Sequence, residues 1–218
     1  MLADTRDARR AALAEALALR GLGLDDATLA RAADTHAPAV AVARAAEALS
    51  AARLDETDID LLALATTRAF VARAAHGVAL VPGAREVLAD LASQLRVVVV
   101  TRAPLRVAEQ ILGHAGLDAV VSGLVAAEHV AAPKPSPAGH LRALARLARL
   151  RPITPSHVVA LEDGTDGLAA ARAADVTVVG VASGAHDAAE GDAWVASAVD
   201  LTYDALVHLV DSRAARGT

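Results

Sequence analysis

A hydroxyl, an ammonium and a pair of carboxylates stand where a folded chain could bring them to one site. Thr101-Arg102 follows the run Val97-Val98-Val99-Val100, Lys134 lies between Pro133 and Pro135, and Glu162-Asp163 ends the run His157–Leu161 and opens Gly164-Thr165-Asp166-Gly167. A hydroxyl and an ammonium suit phosphate oxygens, and paired carboxylates suit a hard divalent cation such as Mg2+. Lys134 carries extra weight. Of the 21 Lys and Arg side chains, 20 are Arg and this is the single Lys. The two cations are not interchangeable, so a position that keeps Lys here points to a need for a compact ammonium. Each residue also has a plain structural reading: a turn threonine, a solvated loop cation, a strand-end acidic turn. Their order on successive units is worth more than any one of them.

Those residues have to be placed by strands and helices. From about residue 78 the grammar is α/β. Pro82-Gly83 opens a helix to Leu95, and Val97–Val100 reads as a strand. A helix follows over Pro104–His114, then a short strand over Asp118–Val121. Pro137–Leu150 reads as helix, His157–Leu161 as strand, Thr165–Ala174 as helix and Val176–Val181 as strand. Short β-branched runs alternating with helices of ten or so residues indicate a parallel sheet buried on both faces. In such a sheet ligands bind beyond the carboxyl ends of the strands, where Thr101, Lys134 and Glu162-Asp163 would meet. The first 77 residues read instead as four helices: from Asp4 or Thr5 to Leu19, Asp25-Asp26 to about His36, Pro38 to about Leu54, and Thr57-Asp58 to about Ala75.

Composition closes off other classes. With 55% hydrophobic residues over 218 positions the chain can bury a core, and the absence of Cys removes disulfides, thiol catalysis and Cys-ligated metals. A net charge of −5 argues against a general basic field for nucleic acid. No apolar run is long enough for a membrane span or a secretory leader, so the expectation is a soluble, cytoplasmic protein. The eight His show no H-x-x-x-H or H-E-x-x-H spacing, and no phosphate-binding glycine fingerprint follows a strand. Ser183-Gly184 reads as a turn, Arg142, Arg146, Arg149 and Arg151 as a solvated helix face, and Asp187, Glu190 and Asp192 as an acidic stretch without an obvious partner. Trp194 and Tyr203 read as packing residues.

The ordered residues resemble the haloacid dehalogenase-like (HAD) hydrolases, in their helical-cap branch of phosphoglycolate-phosphatase-, CbbY- and beta-phosphoglucomutase-like proteins. Val97–Thr101 is similar to the family's second motif, Lys134-Pro135-Ser136-Pro137 to the third, and Val158–Ala174 with Glu162-Asp163-Gly164 to the fourth. Val81-Pro82-Gly83-Ala84 is similar to the return from the cap into the core. The resemblance implies a Rossmannoid parallel core over 78–218 and a helical cap over 1–77. It implies Mg2+-dependent transfer from a small phosphorylated metabolite, with no nucleic-acid or membrane partner. Thr101 would bond the transferring phosphoryl group and Lys134 would neutralise it. Asp163 would hold Mg2+ with help from Glu162, Arg102 would add a phosphate or substrate contact, and Asp166 and Gly164 would support the loop. A phosphomutase fits the same framework; dehalogenation is disfavoured by Lys134 and the acidic pair. Cap residues Arg44, Arg68 and Arg73 read mainly as surface cations.

The first motif of the family, Asp-x-Asp-Gly-x-Leu-x-Asp-Ser/Thr, ends its central strand and supplies the nucleophile and the general acid/base. Only its tail is matched, by Met1-Leu2-Ala3-Asp4-Thr5 at 1–5. The resemblance thus implies that the first core strand and the nucleophile are missing from these residues, and the expectation is a start assigned too late. The alternative is a non-catalytic HAD-like protein that binds phosphate or metal, or serves as an interaction module. On either reading the 218 residues should show little turnover and bind Mg2+ weakly, and Asp4 is read as a helix cap.

Overall fold

Alanine and leucine at helical spacing build the first half of the chain. The computed structural model describes residues 2–35, 37–49, 54–181 and 191–216. Four helices come first: α1 (Arg6–Ala18), α2 (Asp26–Ala32), α3 (Pro38–Ala48) and α4 (Glu56–Ala74). The apolar stripe of α1, Ala12, Leu13, Ala16 and Leu17, is fully buried, and Val42 and Leu62 close over it. Asp25 caps α2 by accepting from the Thr28 amide (3.0 Å), and Pro38 starts α3 where its missing N–H costs nothing. The sequence expectation for α4 needs correcting: Asp55, not Thr57-Asp58, is the cap, and Asp58 completes a capping box three residues on. At α1 neither expected residue caps with its side chain. Thr5 holds the cap position without a side-chain bond, and Asp4 turns to the Arg6 amide and guanidinium. Both α2 and α3 end early, at Ala32 and Ala48 rather than near His36 and Leu54; His36 itself and 50–53 lie outside the described residues.

A fifth helix belongs to this unit. The helix α6 (Leu105–His114) follows a strand in sequence, yet its Val107 packs with Ala12, Phe70, Ala74 and Ala103. The unit therefore comprises Ala3–Ala79 and Arg102–His114. Phe70, the single Phe, is 1% exposed at its centre; complete burial of such a ring is worth roughly 1.5–3 kcal/mol.

The second unit, Met1–Leu2, Leu80–Thr101 and Ala115–Thr218, is α/β, and every described strand pairs in parallel. Its helices are α5 (Ala84–Gln94), α7 (Ala138–Leu150), α8 (Thr165–Ala173) and α9 (Tyr203–Arg216). Its strands are β1 (Val98–Val100), β2 (Gly123–Val125), β3 (Val159–Glu162), β4 (Thr177–Val181) and β5 (Ala193–Val195). Gly83 begins α5 at φ 75°, a conformation that a side chain would strain. One expected strand is displaced. Asp118–Val121 forms a turn, because the Leu117 carbonyl accepts from the amides of both Val120 and Val121 (3.1 Å each), and pairing with β1 starts only at Gly123. The strand β5 and helix α9 were not legible, although Trp194 and Tyr203 do pack in this unit's apolar clusters. Asp192 has a partner after all: its carboxylate accepts from the Val178 amide at 2.8 Å. Residues 183, 184, 187 and 190 lie outside the described residues. No described helix is long and apolar enough to cross a membrane.

The strands form two sheets, β1-β2 and β3-β4-β5. Thr101 N–H donates to Val125 and Val97 accepts from Ser122, so odd residues of β1 face β2 and Val98 and Val100 face away. By the same alternation Val158 accepts from Thr177, and Val159 and Leu161 face away from β4. Among the described residues no strand pairs with either of these edges. Burial agrees: β4 is buried throughout, whereas β1 and the first three residues of β3 are only half-buried. The amides of Val98, Val100, Val159 and Leu161 should therefore exchange with solvent deuterium at least ~100-fold faster than those of Val178 and Val179, since unpaired edges open without breaking a ladder. Equal protection at both sets of amides would show that the edges are paired.

Candidate functional site

The strand ends deliver the expected residues within the α/β unit. Thr101 extends the β1 ladder through its amide, 2.9 Å from the Val125 carbonyl, and is half-buried. Lys134 comes from the proline-bracketed loop before α7. Its Nζ donates to the Val100 carbonyl at 3.4 Å and to Glu162 Oε1. The single lysine thus ties the carboxyl end of β1 to that of β3. Its side chain is 11% exposed and that of Glu162 10%, so this is a buried ion pair.

The sequence reading did not single out His140, the third member of the cluster. His140 Nε2 lies 3.0 Å from the same Oε1 of Glu162, and a carboxylate only accepts, so Nε2 carries the hydrogen and donates. The residue is 6% exposed on the buried face of α7, and its Nδ1 has no partner among the described residues. Leaving such a ring atom buried and unpaired costs about 1–3 kcal/mol. A helical periodicity count could have placed His140 on the inner face with Ala143 and Leu147, but not its partner.

Glu162 is therefore held from several sides. Burial is the strongest single influence and works to raise its pKa. The hydrogen bond from His140, with the charge and hydrogen bond of Lys134, outweighs it and holds the carboxyl below its ordinary value. Its Oε2 fills the space beside Gly167 in the first turn of α8, where any Cβ would overlap it. That is the physical reason for glycine at 167.

The remaining residues are placed less centrally. Asp163 follows Glu162 and is half-buried, while Gly164 caps α8 in extended backbone with open space where a Cβ would stand. Asp166 is exposed on the first turn of α8. Arg102 is half-buried and opens the segment that belongs to the helical unit. Of the cap cations, Arg44 donates to the Asp34 carbonyl and Arg73 pairs with Glu15, both structural uses.

A metal finds only part of what it needs here. Among the described residues no three His, Cys, Asp or Glu side chains converge as a metal-holding group. Glu162 Oε1 already takes two donors. Mg2+ is commonly held by one or two carboxylates, with substrate phosphate oxygens and water completing the octahedron. Asp163 fits that role and Glu162 fits it poorly.

The haloacid dehalogenase-like hydrolase family matches residues 3–175, four-fifths of the chain. The chain belongs to this family. Among solved structures, CbbY from Rhodobacter sphaeroides in complex with phosphate is 28% identical at a TM-score of 0.76, over 92% of each chain. A predicted phosphoglycolate phosphatase from Haemophilus somnus 129pt is 20% identical at 0.80, over 91% of each chain. Beta-phosphoglucomutase from Clostridium difficile is 16% identical at 0.79, over 99% of this chain and 95% of that one. No curated protein matches the chain significantly. The last two likenesses speak to the fold alone, and all three agree with a HAD-like α/β protein carrying parallel sheets.

Proposed function

We propose that the chain binds the phosphate group of a small metabolite at Thr101 and Lys134, in the manner of a Mg2+-dependent phosphomonoester hydrolase. The observation that carries this reading is the placement of the only lysine. A compact ammonium held at the carboxyl ends of β1 and β3 offers its charge to an anion entering there, and the buried carboxylate behind it keeps it in position. The HAD-like relative captured with phosphate supports the same class of ligand. Mg2+, held by Asp163 and the bound phosphate, would supply further neutralisation of charge. Lys134 orients the phosphate oxygens and Thr101 offers a hydroxyl to them, while Arg102 adds a contact and Asp166 and Gly164 shape the loop. The chain is taken to act in the cytoplasm on a soluble metabolite, without nucleic acid or membrane.

Titration with inorganic phosphate, with and without Mg2+, tests this. Lys134→Met should weaken phosphate binding at least ~10-fold, because a charge-assisted contact to an oxyanion is worth about 1.5–3 kcal/mol. Unchanged affinity in Lys134→Met, in a protein that still folds, would remove the lysine from the site. A second reading is a non-catalytic phosphate-binding protein, in which the buried Glu162 serves only to hold Lys134 and His140. Turnover separates the two, and transfer to a second hydroxyl of a sugar phosphate would instead identify a phosphomutase.

A further inference from the structure

We infer that His140 is a positioning residue for Lys134, acting through the Glu162 oxygen that the two share. The inference rests on the phosphate reading above only for its consequence at the ligand, not for the geometry. A lone buried pair between lysine and glutamate leaves both chains free to slide among rotamers, since each ends several torsions from the backbone. His140 removes that freedom. Its ring is on the buried face of α7, the helix that packs on β1 and β2, and its Nε2–H donates to Glu162 Oε1 at 3.0 Å. Gly139, the neighbour of His140, lets α7 approach closely: a Cβ there would meet Val100 Cγ1 at 2.9 Å. The ring is thus carried by the same helix that packs against the strand whose carbonyl receives Lys134. Gly167 closes the other side of the carboxylate. With Glu162 Oε1 bonded by His140 and Oε2 against the first turn of α8, the carboxylate holds the ammonium in one place.

The unpaired Nδ1 sharpens the point. A residue placed there only to fill volume would be leucine or phenylalanine, which bury no unpaired atom. The histidine keeps that liability and supplies one donor, aimed at the carboxylate that holds the lysine.

Because Lys134 is the only lysine, trace acylation of amines followed by mass spectrometry reads its ammonium individually, with the chain's α-amino group as an internal reference. The decisive variants are His140→Gln and His140→Met. They are matched in length, and only the glutamine keeps a donor near the position of Nε2. At fixed pH, His140→Met should raise the acylation rate of Lys134 about fivefold over the parent, and His140→Gln should stay within twofold of it. In parallel, the affinity for inorganic phosphate should fall about fivefold in His140→Met and recover in His140→Gln. Equal acylation rates in the two variants, with both folded by circular dichroism, would show that the ring merely packs and would overturn the inference. Should His140→Met fail to fold, His140→Leu replaces it in the same comparison. A parent that binds no phosphate would sink the proposed function, yet the acylation rates would still decide the role of His140.

Discussion

The 218 residues, purified as they stand, are expected to hydrolyse phosphomonoesters by a factor on the order of 10^4 or more below a HAD hydrolase with a complete first motif, as nucleophile losses in other enzymes do. Phosphoryl transfer through an acyl-phosphate intermediate needs a carboxylate in line with phosphorus and a proton donor for the leaving oxygen. Glu162 is poorly placed to be the nucleophile, since its Oε1 already accepts from both Lys134 and His140 and its Oε2 lies against the first turn of α8 at Gly167. Asp166 is exposed on the outside of the first turn of α8. Asp163 is the carboxylate proposed to hold Mg2+, and as a nucleophile it would be lost to that proposed role. Asp4 is the nearest match to the family's first motif, but both its carboxylate oxygens are bonded to Arg6, whose guanidinium and amide hold its pKa below the ordinary range. Release of inorganic phosphate from an aryl phosphate and from sugar phosphates, with Mg2+ and with EDTA, measures the outcome. Robust Mg2+-dependent turnover that disappears in Asp163→Ala would defeat this expectation, and Asp4→Asn would then be the next variant to make.

What could be read from the sequence followed from strong local signals. Val97–Val100 and Val176–Val181 are apolar and β-branched with turn residues on both sides, and both are strands with ends shifted by one residue. Lys134 stood out through composition, as the lone lysine among arginines, and the structure gives it a buried partner. The failures have physical causes. Ala119-Val120-Val121 has strand composition, but the Leu117 carbonyl captures two of its amides and makes a turn. The strand β5 is short and holds a tryptophan whose role appears only across the sheet, where its ring lies over Gly180. His140 was passed over because a histidine on an inner helix face has the same periodicity whether it packs or bonds. Its partner lies 22 residues away, a separation no local pattern encodes. The carboxylate pair shows the same limit: adjacency in sequence suggested a shared metal, whereas alternation at the end of β3 sends Glu162 toward α7 and the lysine.

Glu162→Ala should destabilise the α/β unit by about 3–5 kcal/mol, the usual cost of removing one member of a buried ion pair and leaving the other charge unpaired. For a chain of this length that corresponds to a fall in melting temperature of roughly 6–20 °C. Three losses combine: the Lys134 ammonium keeps only the Val100 carbonyl, the His140 Nε2–H loses its acceptor, and a void opens beside Gly167. The double variant Glu162→Ala/Lys134→Met should recover part of the loss, because the stranded charge goes with its partner. Acid titration gives an independent check with a definite sign. The native Glu162 carboxyl titrates below its ordinary 4.5. Its ionised form therefore contributes stability that is complete above about pH 4.5 and is lost as pH falls through the lower native value. The parent should lose stability in that acid window more steeply than Glu162→Ala, which has no such proton to take up. A Glu162→Ala protein that melts within 1–2 °C of the parent, with an acid limb parallel to it, would mean that the Lys134–Glu162–His140 cluster is solvated rather than buried, and the phosphate reading would lose the carboxylate that holds its lysine.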